Sequence, residues 1–284
     1  MKLLRYKVAE RAALGAEKDG GIVNLDGLGF GSMLAIAAGG RSALEAVRAH
    51  LWKATPDLAT KDATLLAPIE RPGKYLAIGL NYKKHVEESA KIGVPAPKHQ
   101  LWFNKQTTCI VGPYDDIDPG VTEKLDYEVE LGAVIGSNAK GVAEKDAPQH
   151  VFGYFVANDV SARDWQFHTP TFTIGKSFDT HGPIGPWIVT ADELADPHAL
   201  RLRCYVNGEL RQNSDTSQML FSLWQQIAYL STAFTLETGD LIATGTPEGV
   251  GIGMNPPRFL QPGDVVRCEI DGIGSIENRV RIKL

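Results

Sequence analysis

Acidic and apolar residues alternate through Leu125-Asp126-Tyr127-Glu128-Val129-Glu130-Leu131, and a period of two is the pattern of a β-strand. Alternate side chains of a strand share a face, so Glu128 and Glu130 project together while Tyr127, Val129 and Leu131 pack behind them. Two carboxylates on one face, roughly 7 Å apart at Cα, repel each other strongly when buried unless a cation lies between them. Hard oxygen donors of this kind suit Mg²⁺, Mn²⁺ or Ca²⁺ better than zinc. The competing reading is an exposed strand face with ordinary solvated acids.

The chain has 284 residues, enough for one large domain or for a domain with a smaller appendage. Its 29 Gly and 16 Pro suit many short strands and turns rather than a helical bundle. A net charge of -5, with no Lys/Arg cluster to reverse it, argues against a nucleic-acid surface. No apolar run approaches the ~18 residues of a membrane-spanning helix. The basic start, Met1-Lys2-Leu3-Leu4-Arg5-Tyr6, lacks a following apolar stretch, so no secretory signal is expected and the cytoplasm is the expected compartment. Cys109, Cys204 and Cys268 lack CxxC spacing and read as buried free thiols.

The organisation expected is a small leading unit over residues 1–68, a Pro/Gly linker at 69–74 and a larger unit over 75–284. In the first, residues 3–7 and 21–25 read as strands. Leu44, Val47 and Leu51 predict a helix over 41–52 capped by Ser42. In the second, strands are predicted at 75–80, 101–104, 127–135, 151–158, 187–190, 202–206, 241–244 and 265–270. Asn207-Gly208 marks a hairpin. An amphipathic helix carries Leu220, Leu223, Trp224, Ile227, Leu230 and Phe234. Residues 83–91 form a short polar helix bracketed by Gly and Pro, the pattern of a mobile lid. The fold class is a β-rich α+β chain.

Signatures for nucleotide loops (GxxxxGKS/T, GxGxxG), serine elbows (GxSxG) and HExxH metal helices are missing from the sequence, so those chemistries lose their usual marks. Asp159 follows the apolar strand at 151–158, and it can join Glu128 and Glu130 in a three-carboxylate set, or merely cap a turn. His85 and Glu88, three apart on the polar helix, can meet, and the carboxylate then orients the imidazole. Lys176 lies among glycines and apolar residues and either snorkels or points into a pocket. Thr244-Gly245-Thr246-Pro247-Glu248-Gly249-Val250-Gly251 is a glycine-rich loop able to offer backbone N–H groups and the Thr246 hydroxyl.

In this order, Gly79-Leu80-Asn81-Tyr82 with His85 and Glu88, the 126–131 alternation, Asn158-Asp159-Val160-Ser161-Ala162-Arg163-Asp164, Gly175-Lys176-Ser177-Phe178-Asp179-Thr180 and the 244–251 loop together resemble the fumarylacetoacetate hydrolase superfamily, over residues 75–284. The resemblance implies a mixed β-roll catalytic domain behind a small N-terminal domain. It implies one Mg²⁺ or Mn²⁺ per chain on Glu128, Glu130 and Asp159, and catalysis by His85, Glu88 and Lys176. It places Arg163, Gln166 and Thr246 on the substrate side, Arg163 and Asp164 also bracing the Asp159 loop. Asp126 near the metal and Thr180 on metal-bound water are weaker extensions. The activity implied is hydrolysis of a C–C bond in a 2,4-dioxo acid, an acylpyruvate or a diketo-deoxy sugar acid. Oxo-acid decarboxylation or tautomerisation, ureidoglycolate cleavage and a non-catalytic oxo-acid binding module are the alternatives. A homodimer is implied, and the polar lid together with residues 167–173 hints at a hydroxylated substrate tail.

Overall fold

The computed structural model describes residues 1–9, 11–91 and 93–282. Strands β1 (Lys2–Val8), β2 (Arg11–Lys18) and β3 (Gly21–Asn24) lead into helix α1 (Met33–Lys53), followed by the short β4 (Leu58–Ala59) and β5 (Leu65–Leu66). Next come β6 (Tyr75–Gly79), α2 (Lys83–Lys91), β7 (Leu101–Asn104), β8 (Ile110–Val111), β9 (Leu125–Asp126), β10 (Val129–Ile135) and β11 (Val151–Asn158). After β12 (Ser161–Ala162), the single turn α3 (Arg163–Gln166) and β13 (Gly182–Thr190), the chain makes β14 (Arg201–Val206) and β15 (Glu209–Asp215). Helix α4 (Leu223–Ala233), β16 (Leu241–Ala243), β17 (Val265–Ile270) and β18 (Gly274–Arg279) complete it.

One long sheet runs β4-β3-β2-β1-β13-β11-β10-β16-β6-β7, with β5 on β1 and β8 on β13. The pairing is antiparallel except at β16–β6 and β13–β8. Through β1–β13 the expected leading unit, residues 1–68, hydrogen-bonds directly to the larger one. A second sheet, β15-β14-β17-β18, packs its inner face against β10 and β11. Tyr127, Val129, Leu131, Leu202, Val266 and Ile276 fill the space between the two, and α4 adds Leu223, Ile227 and Leu230. The other side of the long sheet is covered by α1 through Met33, Ile36 and Val47. Burial of apolar area on both sheet faces, ~25 cal/mol per Å², is the main force holding these layers together.

The structure revises several local expectations. The helix predicted over 41–52 is the second arm of α1, which starts at Met33 with Ser32 as its cap and breaks at Gly40 (φ 52°). The Gly39-Gly40 pair hides the first arm from a periodicity count, and Ser42 is not the cap. Leu220 lies outside α4 and is exposed, as is Phe234. The predicted strand at 127–135 is interrupted, because Tyr127 and Glu128 leave the ladder. Their backbone N–H groups donate to the side chains of Asp126 (2.9 Å) and Asn158 (3.0 Å). Helix α2 spans the predicted residues 83–91. The Asn207-Gly208 hairpin has both residues at positive φ, and all three cysteines are buried and free.

Candidate active site

Antiparallel pairing of β10 with β11 sets Val129 opposite Asn158 and Glu130 opposite Ala157. That register carries the next residue, Asp159, beside Glu128, and its backbone N–H donates to Glu128 O at 2.9 Å. Glu128, Glu130 and Asp159 are all buried, and a carboxylate oxygen from each lies within 4.8 Å of the other two. The exposed-strand reading of the two glutamates is therefore excluded: they are 5% and 1% exposed.

Three buried cations surround the acids. Lys176 Nζ donates to Glu128 Oε2 (2.7 Å) and Asp159 Oδ2 (2.8 Å). Lys105 Nζ donates to Asp159 Oδ1 (2.5 Å) and to the carbonyls of Lys176 and His181. Arg163 forms ion pairs with Asp126 (2.8 Å) and Glu128 (2.7 Å), and its Nη1 donates to Gln166 Oε1 at 2.9 Å. Burial alone would raise the pKa of Glu128, but the Lys176 ammonium and then the Arg163 guanidinium outweigh it and hold it down at about 2. Glu130 goes the other way: burial, then repulsion from Asp159 and Glu128, pushes its carboxyl well above the usual carboxylate range. Three convergent carboxylates with lone pairs to spare form a donor set that fits a hard divalent cation. Where such an ion binds, Glu128, Glu130 and Asp159 are the residues that could hold it.

The lid helix lies over this cluster. His85 Nδ1 sits 2.9 Å from Glu88 Oε2. A carboxylate only accepts, so Nδ1 carries the proton and Nε2 is left with its lone pair. The other carboxylate oxygen, Glu88 Oε1, accepts from Gly249 N at 3.0 Å. A cavity of about 50 Å³, room for a few waters, separates the lid from the acids. His85, Glu128, Arg163, Gln166, Lys176 and Thr246 all line it. Its remaining wall is mostly apolar, with Ile78, Leu80, Val94, Phe103, Phe167, Phe172 and Ile252. Of the lid's polar residues only His85 and Ser89 reach the cavity, so a hydroxylated tail has few partners there and the hint drawn from the polar lid finds little support.

Each sequence-derived candidate has a definite place. Lys176 does not snorkel: it is buried, lines the cavity and bridges two of the acids. Arg163 touches the cavity, yet its nitrogens are committed to Asp126, Glu128 and Gln166, which makes it a brace. Gln166 offers its amide nitrogen, free of partners among the described residues. Asp126 is apart from the trio and receives the N–H groups of Gly251 (2.7 Å) and Ile252 (3.0 Å). The Thr180 hydroxyl accepts from Asp118 N (2.7 Å) and is not in the cavity lining. Asp164 braces the turn before β9 through Thr122 and Glu123 N. Gly245 adopts φ 99°, its N–H donates to Glu130 Oε2 (2.8 Å), and a Cβ there would lie 2.7 Å from that of Asn81. Sequence reading missed Lys105 and Gln212. Lys105 could have been found only as a lone Lys closing the apolar strand β7.

The fumarylacetoacetate (FAA) hydrolase C-terminal family matches residues 74–281. The chain belongs to this family. A mitochondrial oxaloacetate tautomerase of Xenopus laevis is 48% identical over 244 residues, 85% of this chain and 76% of that protein. Among solved structures, an HpcE protein of Mycobacterium smegmatis superposes with a TM-score of 0.89 at 35% identity, covering 99% of each chain. A maleylpyruvate hydrolase of Sphingobium, solved with manganese(II) and pyruvate, superposes at 0.83 with 29% identity, also over 99% of each chain. This family member is an enzyme of that superfamily by fold and by sequence, and its acid trio is the place where a metal ion could sit. Among the described residues, no helix is long and apolar enough to cross a membrane.

Proposed function

We propose that this chain is a divalent-metal-dependent enzyme of small 2-oxo acids, interconverting the keto and enol forms of an oxaloacetate-like substrate on Mg²⁺ or Mn²⁺. The single observation that carries the proposal is His85, held 2.9 Å from Glu88 and lining one small cavity together with Glu128 of the buried acid trio. A base opposite a cation site is what abstraction of a proton next to a carbonyl requires. Glu88 keeps the His85 Nδ1 proton in place, so Nε2 accepts the C3 proton and can return it to the C2 oxygen, which balances the tautomerisation. When bound, the ion supplies Lewis-acid polarisation of the oxo acid's oxygens, which acidifies C3. Lys176 and Arg163 hold Glu128 in its charged form, and the closed lid keeps bulk water out. The likeness to the Xenopus oxaloacetate tautomerase supports this reading.

Hydrolysis of a C–C bond, the reading the sequence alone favours, is the second, because the maleylpyruvate hydrolase has nearly the same chain trace. There His85 would instead deprotonate a water. The two separate on products: loss of enol absorbance from oxaloacetate without new acids marks the tautomerase, and two acids from an acylpyruvate mark the hydrolase. Turnover of oxaloacetate is expected to need Mg²⁺ or Mn²⁺, to stop in excess chelator, and to be lost in Glu128→Gln together with ion binding. Full activity in chelator would overturn both readings.

A further inference from the structure

A closed ring of hydrogen bonds lies behind the cavity wall. Val129 N donates to Gln212 Oε1 at 2.9 Å, Gln212 Nε2 donates to Thr246 Oγ1 at 2.8 Å, and Thr246 Oγ1 donates to Val129 O at 3.0 Å. The amide orientation is not arbitrary. Val129 N can only donate, so the atom facing it is oxygen. The carbonyl of Pro247, 2.9 Å from the other end, can only accept, so that end is nitrogen. Thr246 Oγ1 must then accept from Gln212, and its single proton points at Val129 O. A hydroxyl has one proton and two lone pairs. Here the proton and one pair are committed inside the protein, and one lone pair remains. Gln212 is 1% exposed and Thr246 3%, so water does not exchange freely into this ring.

We infer that Gln212, reaching in from β15 of the small sheet, is a positioning residue that makes the Thr246 hydroxyl an acceptor only, so that this point of the cavity recognises a hydroxyl of the ligand. This deepens the oxo-acid reading and rests on it. The enol tautomer carries a hydroxyl at C2, and the keto tautomer carries only an acceptor there. Thr246 therefore favours the enol side of the equilibrium. A carbonyl or carboxylate oxygen could take the Thr246 proton only at the cost of its bond to Val129 O, so it gains less from this side chain than a hydroxyl does.

Lactate and pyruvate share a skeleton and differ in this one group. Binding of L- and D-lactate and of pyruvate is measured calorimetrically on the full, Mn²⁺-loaded chain. Thr246→Val keeps the shape and leaves Gln212 its bond to Pro247 O. The variant is expected to weaken the better-bound lactate by about five- to tenfold, the worth of one hydrogen bond, with pyruvate changed less than about twofold. Thr246→Ser should restore lactate. Gln212→Met frees the hydroxyl to turn and donate, so the lactate-to-pyruvate affinity ratio should shift about fivefold towards pyruvate. Equal losses for both acids in Thr246→Val, or an unchanged ratio in a folded Gln212→Met, would overturn the inference alone. Failure of the wild-type chain to bind either acid would remove the oxo-acid reading, and the inference with it.

Discussion

Lys105 has a side chain with no exposed surface, a position that an ammonium holds only when paired. Burial alone would lower its pKa; the Asp159 carboxylate outweighs burial and keeps it raised. Removing the charge leaves Asp159 with Lys176 as its only cationic partner among the described residues and takes a donor from the Lys176 and His181 carbonyls. Lys105→Met is expected to destabilise the fold by about 3–5 kcal/mol, the cost of breaking a buried pair, measured by urea denaturation. Wild-type stability would show the pair to be dispensable. His85, by contrast, bears little of the fold. His85→Ala should lower turnover by a factor on the order of 10²–10⁴ while calorimetric ion affinity stays within about twofold, since no trio oxygen bonds to the imidazole. Wild-type turnover by that variant would dismiss it as the base.

Helix α2 buries only His85 and Ser89, too little apolar area to hold it down by itself. Contacts at its far side do so instead. Glu88 accepts from Gly249 N, and its carboxylate lies against Gly253, where an added Cβ would sit 2.3 Å from Glu88 Cδ. Gly253 thus forms the notch that receives the lid. Gly253→Val should displace Glu88 and with it the proton arrangement of His85. Turnover is expected to fall by at least about tenfold with the melting temperature within about 2 °C of wild type, since the notch lies outside the main core. An unchanged kcat with a lowered melting temperature would assign Gly253 to stability alone.

At the scale of the whole molecule, stability should carry a pH signature from His181, which is completely buried and stacked on Phe178. Burial lowers its pKa from 6.5 to about 4. The unfolded chain therefore binds a proton at higher pH than the folded one, so between pH ~6.5 and ~4 the unfolded state holds more protons. Stability rises with pH across that window; on acidification it is lost progressively below about 6.5 and the loss levels off near 4. The full effect is about 3 kcal/mol. Unfolding of His181→Gln, followed against pH, should show a flatter slope in this range; the same slope as wild type would place the effect elsewhere.

Much of this architecture was written locally. The alternation at 125–131, the polar run at 83–91 and the Asn207-Gly208 turn each depend on neighbours within a few residues, and strand, lid and hairpin follow from such short-range periodicity. The three acids were legible because repulsion between like charges leaves few structural reasons to cluster them. Where the reading failed, the cause was a local break or a distant partner. Gly40 splits one helix, and Asn158 takes Glu128 out of its ladder.

Lys105 reaches Asp159 across 54 residues and Gln212 reaches Val129 across 83, and no window of sequence contains either pair. What the amino-acid order determined alone is which residues bring negative charge, a base and a lid. The tertiary structure decided which cations neutralise them, which proton each hydroxyl and imidazole keeps, and which side chains wall the cavity. Those choices depend on burial and hydrogen-bond partners that exist only once the two sheets have closed on one another.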